Sequence, residues 1–248
     1  MVELNLTRSQ DETSQTSTCS LGKCDGSGWI PVTGPDGYRA MRPCLCREQA
    51  VQRARLARLF RECRIPVRFR GKTLDRTDRS LCPKGFDVAA AYVKQWEQNR
   101  KAGRGLMLVG PVGCGKSHLL YAVLQELVRR GVSGFGQTVP DLLDELRPGN
   151  GDSDEKLRML REIQLLLLDD LGAQRDTEWV TERLFVILNA RYNAMLPTLI
   201  TSNLTLEELD KAPGWKRITD RILEMCDVVR LDGPSHRVKI AKERRERE

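Results

Sequence analysis

The stretch Leu106-Met107-Leu108-Val109-Gly110-Pro111-Val112-Gly113-Cys114-Gly115-Lys116-Ser117 decides the fold. Its four apolar residues read as a short buried strand, and the eight that follow match G-x-x-x-x-G-K-[ST]. A helix follows from Ser117 to Arg130, with Leu120, Val123, Leu124 and Leu127 on its inner face and Gly131 as its stop. Strand, glycine-rich turn and helix in this order form a phosphate-binding context. The glycines let backbone N–H groups turn toward one point, and the helix start adds partial positive charge. Lys116 can then reach the β and γ phosphates of a nucleotide, and Ser117 can ligate Mg²⁺.

Reading outward, Phe135 to Val139 is a second strand and Pro140 to Leu146 a helix. Pro148 to Asp154 is a polar loop. Leu165 to Leu168 is a strand too apolar for a sheet with one wet face, so helices should cover both sides. A helix from about Thr177 to Asn193, capped by Asp176, and a strand from Thr198 to Thr201 complete the alternation, which predicts an α/β fold with a doubly wound parallel sheet. Asp169-Asp170 ends the leucine strand at the edge where ligands of open α/β folds bind. Asp169 is the candidate for Mg²⁺ and Asp170 for polarising the attacking water, with a helix cap or solvated turn as the alternative. Asn203 ends the neighbouring strand at the same edge and could reach the γ phosphate or the water; alone, it would read as a turn residue.

The rest of the chain divides by composition. Of its 248 residues, 40% are hydrophobic and 30% charged, which excludes wholesale disorder and leaves room for one principal core. The longest aliphatic run, residues 165–168, is far below the roughly 20 residues of a membrane span, and no export or membrane segment is expected. The net charge of +7 permits a polyanionic partner. Residues 1–18 read as a disordered lead-in, 19–48 as a cysteine module, 49–84 as a basic helix and linker, 85–240 as the main domain and 241–248 as a charged tail. Cys19, Cys24, Cys44 and Cys46 offer two close thiolate pairs, a tetrahedral Zn²⁺ arrangement; another metal centre, such as an iron–sulfur cluster, and unliganded cysteines are the alternatives. Cys63, Cys82 and Cys226 read as packing residues, and Cys114 as a thiol open to modification. With eight cysteines in a chain of this size, a reducing cytoplasm is the expected compartment. The arginines from Arg47 to Arg70 could meet DNA phosphates or an acidic protein surface, or form a solvated helix face. Trp179, in a loop with Arg175 and Thr177, is either a base-stacking aromatic for single-stranded DNA or a core residue.

Together the motifs carry a resemblance. Lys116-Ser117-His118-Leu119, Thr138-Val139-Pro140-Asp141-Leu142-Leu143, Leu168-Asp169-Asp170-Leu171-Gly172-Ala173, Thr201-Ser202-Asn203 and Arg217-Ile218-Thr219-Asp220-Arg221 resemble the DnaC/DnaI-type bacterial replicative helicase loaders, over approximately Ile65 to Lys239. The related transposition helper ATPases of the IstB type share most of these features. The resemblance implies an AAA+ ATPase without a separate lid, binding ATP through the loop and His118. It also implies single-stranded DNA binding, ATP-dependent self-assembly and delivery of a hexameric helicase. It further implies an arginine finger at Arg221, with Arg217 the neighbouring candidate, and a second phosphate-sensing arginine at Arg237. Several such loaders carry an N-terminal zinc module that contacts the helicase, usually starting C-x-x-C where this chain has C-x₄-C. The rivals are a transposition helper, a nucleotide-switched DNA-binding adaptor with little hydrolysis, and a P-loop kinase, the last disfavoured by Asn203 and Arg221.

Overall fold

The chain divides into two units, residues 1–55 and 56–248. The structure, a computed structural model, describes residues 19–149, 151–175, 177–233, 235–236 and 245. The expected lead-in, the Asp176 cap, Arg237 and nearly all of the charged tail lie outside the described residues. In the first unit, β1 (Trp29–Thr33) and β2 (Arg39–Pro43) form an antiparallel hairpin with Trp29 opposite Pro43 and Thr33 opposite Arg39. The unit boundary falls within the next element, α1 (Leu45–Glu62).

The second unit continues with α2 (Pro83–Lys94), α3 (Trp96–Lys101), β3 (Gly105–Val109), α4 (Lys116–Arg129), β4 (Gly134–Thr138), α5 (Val139–Glu145) and α6 (Ser153–Glu162). Then come β5 (Leu165–Leu171), α7 (Glu178–Asn193), β6 (Thr198–Ser202), α8 (Leu206–Leu209), α9 (Lys216–Met225) and β7 (Cys226–Arg230). The sheet order is β4-β5-β6-β3-β7, parallel throughout. Alternation within the strands builds two cores. Met107, Leu166, Leu168 and Ile200 join one, and Leu106, Leu108, Leu165, Leu167 and Leu199 the other. Both faces are covered, as the four leucines require. No helix among the described residues is long and apolar enough to cross a membrane.

Four points differ from expectation. The stretch 67–84 is not a free linker: Phe69 stacks on Tyr121 with ring centroids 4.6 Å apart. The Gln125 amide nitrogen donates to the carbonyls of Phe69 and Lys72 while its oxygen accepts from Gly71 N–H. Single 3₁₀ turns carry no apolar period, so periodicity could not show that this strap is packed. The polar loop is shorter than expected because α6 begins at Ser153. The edge strand β7 shows no apolar run, since most of Cys226–Arg230 faces solvent. Finally, Thr177 occupies the cap position of α7, its Oγ1 accepting from Val180 N–H at 3.3 Å.

Arg191 on α7 is fully buried and binds oxygens alone: Thr198 Oγ1 (2.9 Å) and the carbonyls of Leu160, Ile163 and Pro197 (3.0, 2.8 and 2.7 Å). It ties the end of α6 to the start of β6, and burial holds its pKa down at about 9. Each buried acceptor left bare costs about 1–3 kcal/mol, so Arg191→Met should lower the unfolding free energy by about 3 kcal/mol or more. Urea denaturation checks this; a loss below about 1 kcal/mol would show that water replaces the guanidinium.

Candidate nucleotide site and cysteine cluster

The phosphate loop joins β3 to α4 at the carboxyl edge of the sheet. Gly113, at φ +87°, is pressed against Ser235: a Cβ there would lie 2.1 Å from the serine Oγ. His236 N–H also bonds Gly113 O at 3.0 Å, so the chain just before Arg237 lies on the loop. Val112 is exposed at the apex, while Cys114 is buried at 1% exposure, contrary to the expectation of an open thiol. Lys116 Nζ donates to Gly110 O (2.7 Å), Pro111 O (2.8 Å) and Asn203 Oδ1 (2.8 Å). His118 turns toward the strap. Thr77 gives its hydroxyl hydrogen to Thr73 O, so the 3.0 Å contact makes His118 Nε2 the donor to Thr77 Oγ1. Burial and the nearby Lys72 and His236 hold the His118 pKa below its ordinary value.

The two acids converge because β5 carries an extra residue. Leu168 lies opposite Ile200 and Leu171 opposite Ser202, so β5 advances three residues while β6 advances two. Asp170 takes up the difference with φ +63°. A bulge of this kind re-aims a side chain. Asp169, 5% exposed, accepts from Thr201 Oγ1 at 2.6 Å, with the Ser117 hydroxyl nearby. Burial raises its pKa, opposed by the Thr201 and Ser117 hydroxyls. Asp170 Oδ1 accepts from Asn203 Nδ2 at 2.7 Å. Asn203 therefore bridges Asp170 to Lys116, and Ser117 brings the loop close to Asp169. The Ser117 hydroxyl and the Asp169 carboxylate are hard oxygens suited to Mg²⁺.

Three comparisons locate this arrangement among known proteins. The description "IstB-like ATP binding protein" fits residues 47–244. The chain belongs to that family. It is 28% identical to the replicative helicase loader DnaI of Bacillus subtilis (strain 168), over 96% of this chain and 84% of that protein. It is 30% identical to the replicative helicase loader DnaC of Escherichia coli (strain K12), over 54% of this chain and 55% of that protein. A crystal structure of the DnaC helicase loader matches with TM-score 0.61 and 26% identity, covering 67% of this chain and 100% of that one. The fold is accordingly the AAA+ fold of the DnaI/DnaC structures.

The other expected site residues lie apart from the loop's contacts. Arg217 and Arg221 share a face of α9 and rest on α7: the Arg217 guanidinium sits 4.2 Å over the Phe185 ring and Arg221 4.6 Å over Tyr192. Arg221 Nε also donates to Asn189 Oδ1 at 3.2 Å. Arg175 and Thr177 are exposed. Trp179 is not an open stacking platform: it lies in the first turn of α7, half-buried against the core, with its indole N–H enclosed and without a hydrogen-bond partner. Thr201 was visible only as part of a strand end. The signal for its role was a hydroxyl in a strand that burial on both faces would otherwise fill with apolar side chains.

In the other unit, the sulfurs of Cys19, Cys24, Cys44 and Cys46 all lie within 4.8 Å of one another. Cys19–Cys44 and Cys24–Cys46 are 3.8 and 3.5 Å apart, close to the separation of about 3.8 Å expected for sulfurs about 2.3 Å from one tetrahedral ion. Backbone N–H groups of Leu21, Lys23 and Cys24 lower the Cys19 thiol pKa to about 6, while the neighbouring Cys44 thiol and burial push Cys46 up to about 12. The four could hold one metal ion.

The burial pattern predicts selective thiol chemistry. Cys63, Cys114 and Cys226 are enclosed, and burial pushes the Cys63 thiol up to about 12, so these should react slowly with iodoacetamide. Cys82, half-buried, should label first among the thiols of the second unit. Mass spectrometry after native labelling checks the order, which urea should abolish; rapid native labelling of Cys114 would contradict the enclosed loop.

Proposed function

We propose that the protein is an ATP-hydrolysing loader that delivers a hexameric replicative helicase onto single-stranded DNA in replication initiation or restart. The carrying observation is the extent of the likeness. The match to IstB-like proteins begins at residue 47, beyond the four cysteines, whereas the likeness to DnaI runs over 96% of the chain and must enter the cysteine unit. Placement in the cytoplasm accords with eight unpaired thiols.

This reading divides the labour among the residues. Lys116 exchanges its carbonyl partners for the β and γ phosphate oxygens of ATP. Ser117 and Asp169 hold Mg²⁺, which when bound draws charge from those oxygens. Asp170, steadied by Asn203, polarises the attacking water. Arg221 acts as the finger on a neighbouring copy's ATP, with Arg217 beside it and Arg237 as the second phosphate-sensing arginine. Arg175 and Thr177 offer polar contacts to single-stranded DNA.

Lys116→Ala should abolish ATP turnover, and Arg221→Ala should bind ATP but hydrolyse it on the order of 10³-fold more slowly. Mixing the two should restore activity where an intact loop meets an intact finger. In a reconstituted assay, wild type and ATP should transfer a replicative helicase to circular single-stranded DNA. Stimulation of a transposase with no effect on the helicase would favour the transposition reading.

The cysteine cluster is read as a structural Zn²⁺ site. Metal analysis of protein purified without chelator should find one zinc per chain, and Cys44→Ser should lose it. Such sites contribute on the order of 10 kcal/mol to folding, so chelation should unfold the first unit while the second keeps its helical signal. Metal-free protein with an intact first unit would reject this site.

A further inference from the structure

Thr201 sits in β6 at 1% exposure, among Leu199, Ile200 and Ser202, all fully buried. Its oxygen accepts from Asp170 N–H at 2.8 Å, and its single hydrogen goes to Asp169 Oδ1 at 2.6 Å. The directions are forced, because an amide can only donate and a carboxylate only accept. The extra residue in β5 takes the Asp170 N–H out of register with β6, and the threonine hydroxyl supplies the acceptor that the ladder withdraws. The same hydroxyl holds Asp169 where the Ser117 hydroxyl also reaches it. Valine would fill this position with nearly the same shape and no desolvation cost, yet could make neither bond.

We propose that Thr201 is a positioning residue whose one hydroxyl sets both acids: it orients the Asp169 carboxylate toward Ser117 and anchors the bulge that turns Asp170 toward Asn203. It touches neither nucleotide nor metal and acts through the two aspartates. The assignment rests on reading the loop as a Mg²⁺–ATP site, and predicts a defect confined to what the metal adds.

The test is titration of the full chain with a fluorescent ATP analogue, in Mg²⁺ and in EDTA. Wild type should bind more tightly with Mg²⁺. Thr201→Val should need about tenfold more Mg²⁺ for half-maximal enhancement, the usual scale for loss of a partner behind a metal ligand, while its affinity in EDTA stays unchanged. Thr201→Ser, which keeps the hydroxyl, should restore the wild-type Mg²⁺ requirement. A wild-type requirement in Thr201→Val overturns the role of Thr201 alone. Wild type that gains nothing from Mg²⁺ overturns the nucleotide reading and the proposal with it. Thr201→Ala backs up the valine variant: if both lose the fold while Thr201→Ser keeps it, the hydroxyl is a folding requirement and the positioning role falls.

Discussion

Adjacent residues of a regular strand point to opposite sides of the sheet, yet Asp169 and Asp170 both bond side chains at the end of β6, Thr201 and Asn203. The conflict is resolved by the single extra residue in β5, placed in the left-handed region at Asp170. Such a backbone costs an ordinary residue on the order of 1–2 kcal/mol, somewhat less for aspartate, whose short polar side chain can bond locally. Asp170 does so through Asn203, and its amide through Thr201. The parallel sheet makes this possible, because β3, β5 and β6 all end at one edge and bring loop, acids and asparagine within hydrogen-bonding reach.

The same edge satisfies a buried ammonium. Lys116 is 6% exposed, and an uncompensated charge there would cost several kcal/mol. Two carbonyls of its own loop and the Asn203 oxygen satisfy it at 2.7–2.8 Å. The Asn203 oxygen that accepts from Lys116 belongs to the amide that holds Asp170, so Lys116 and Asp170 are linked through one side chain.

The phosphate loop, the four leucines and the strand–helix alternation were legible because each is a local pattern with one structural solution. Four of the five strands of the large sheet follow from apolar runs. The fifth, β7, does not, since an edge strand facing solvent buries too little to leave a pattern. The strap over Phe69 and Lys72 was hidden because its anchor, Gln125, is a polar residue that looks like surface until its partners in the strap are seen. Trp179 could be read as platform or core from its neighbours alone, and only packing decided it. The bulge left no trace in composition: Asp169-Asp170 marked the acids, while the register that aims them depends on Thr201, more than 30 residues away.

The two units draw their stability from different sources. The second has two apolar cores, one on each face of its sheet. In residues 19–55 only Gly28 and Cys44 are buried, and the one aromatic contact, Arg47 at 4.3 Å over Trp29, lies at the surface. A two-stranded hairpin without a core is marginal in water, so burial cannot account for this unit. Four sulfurs spaced for one tetrahedral ion are the remaining candidate source of cohesion. The first unit thus depends on its four sulfurs, and the second on apolar burial at both faces of its sheet.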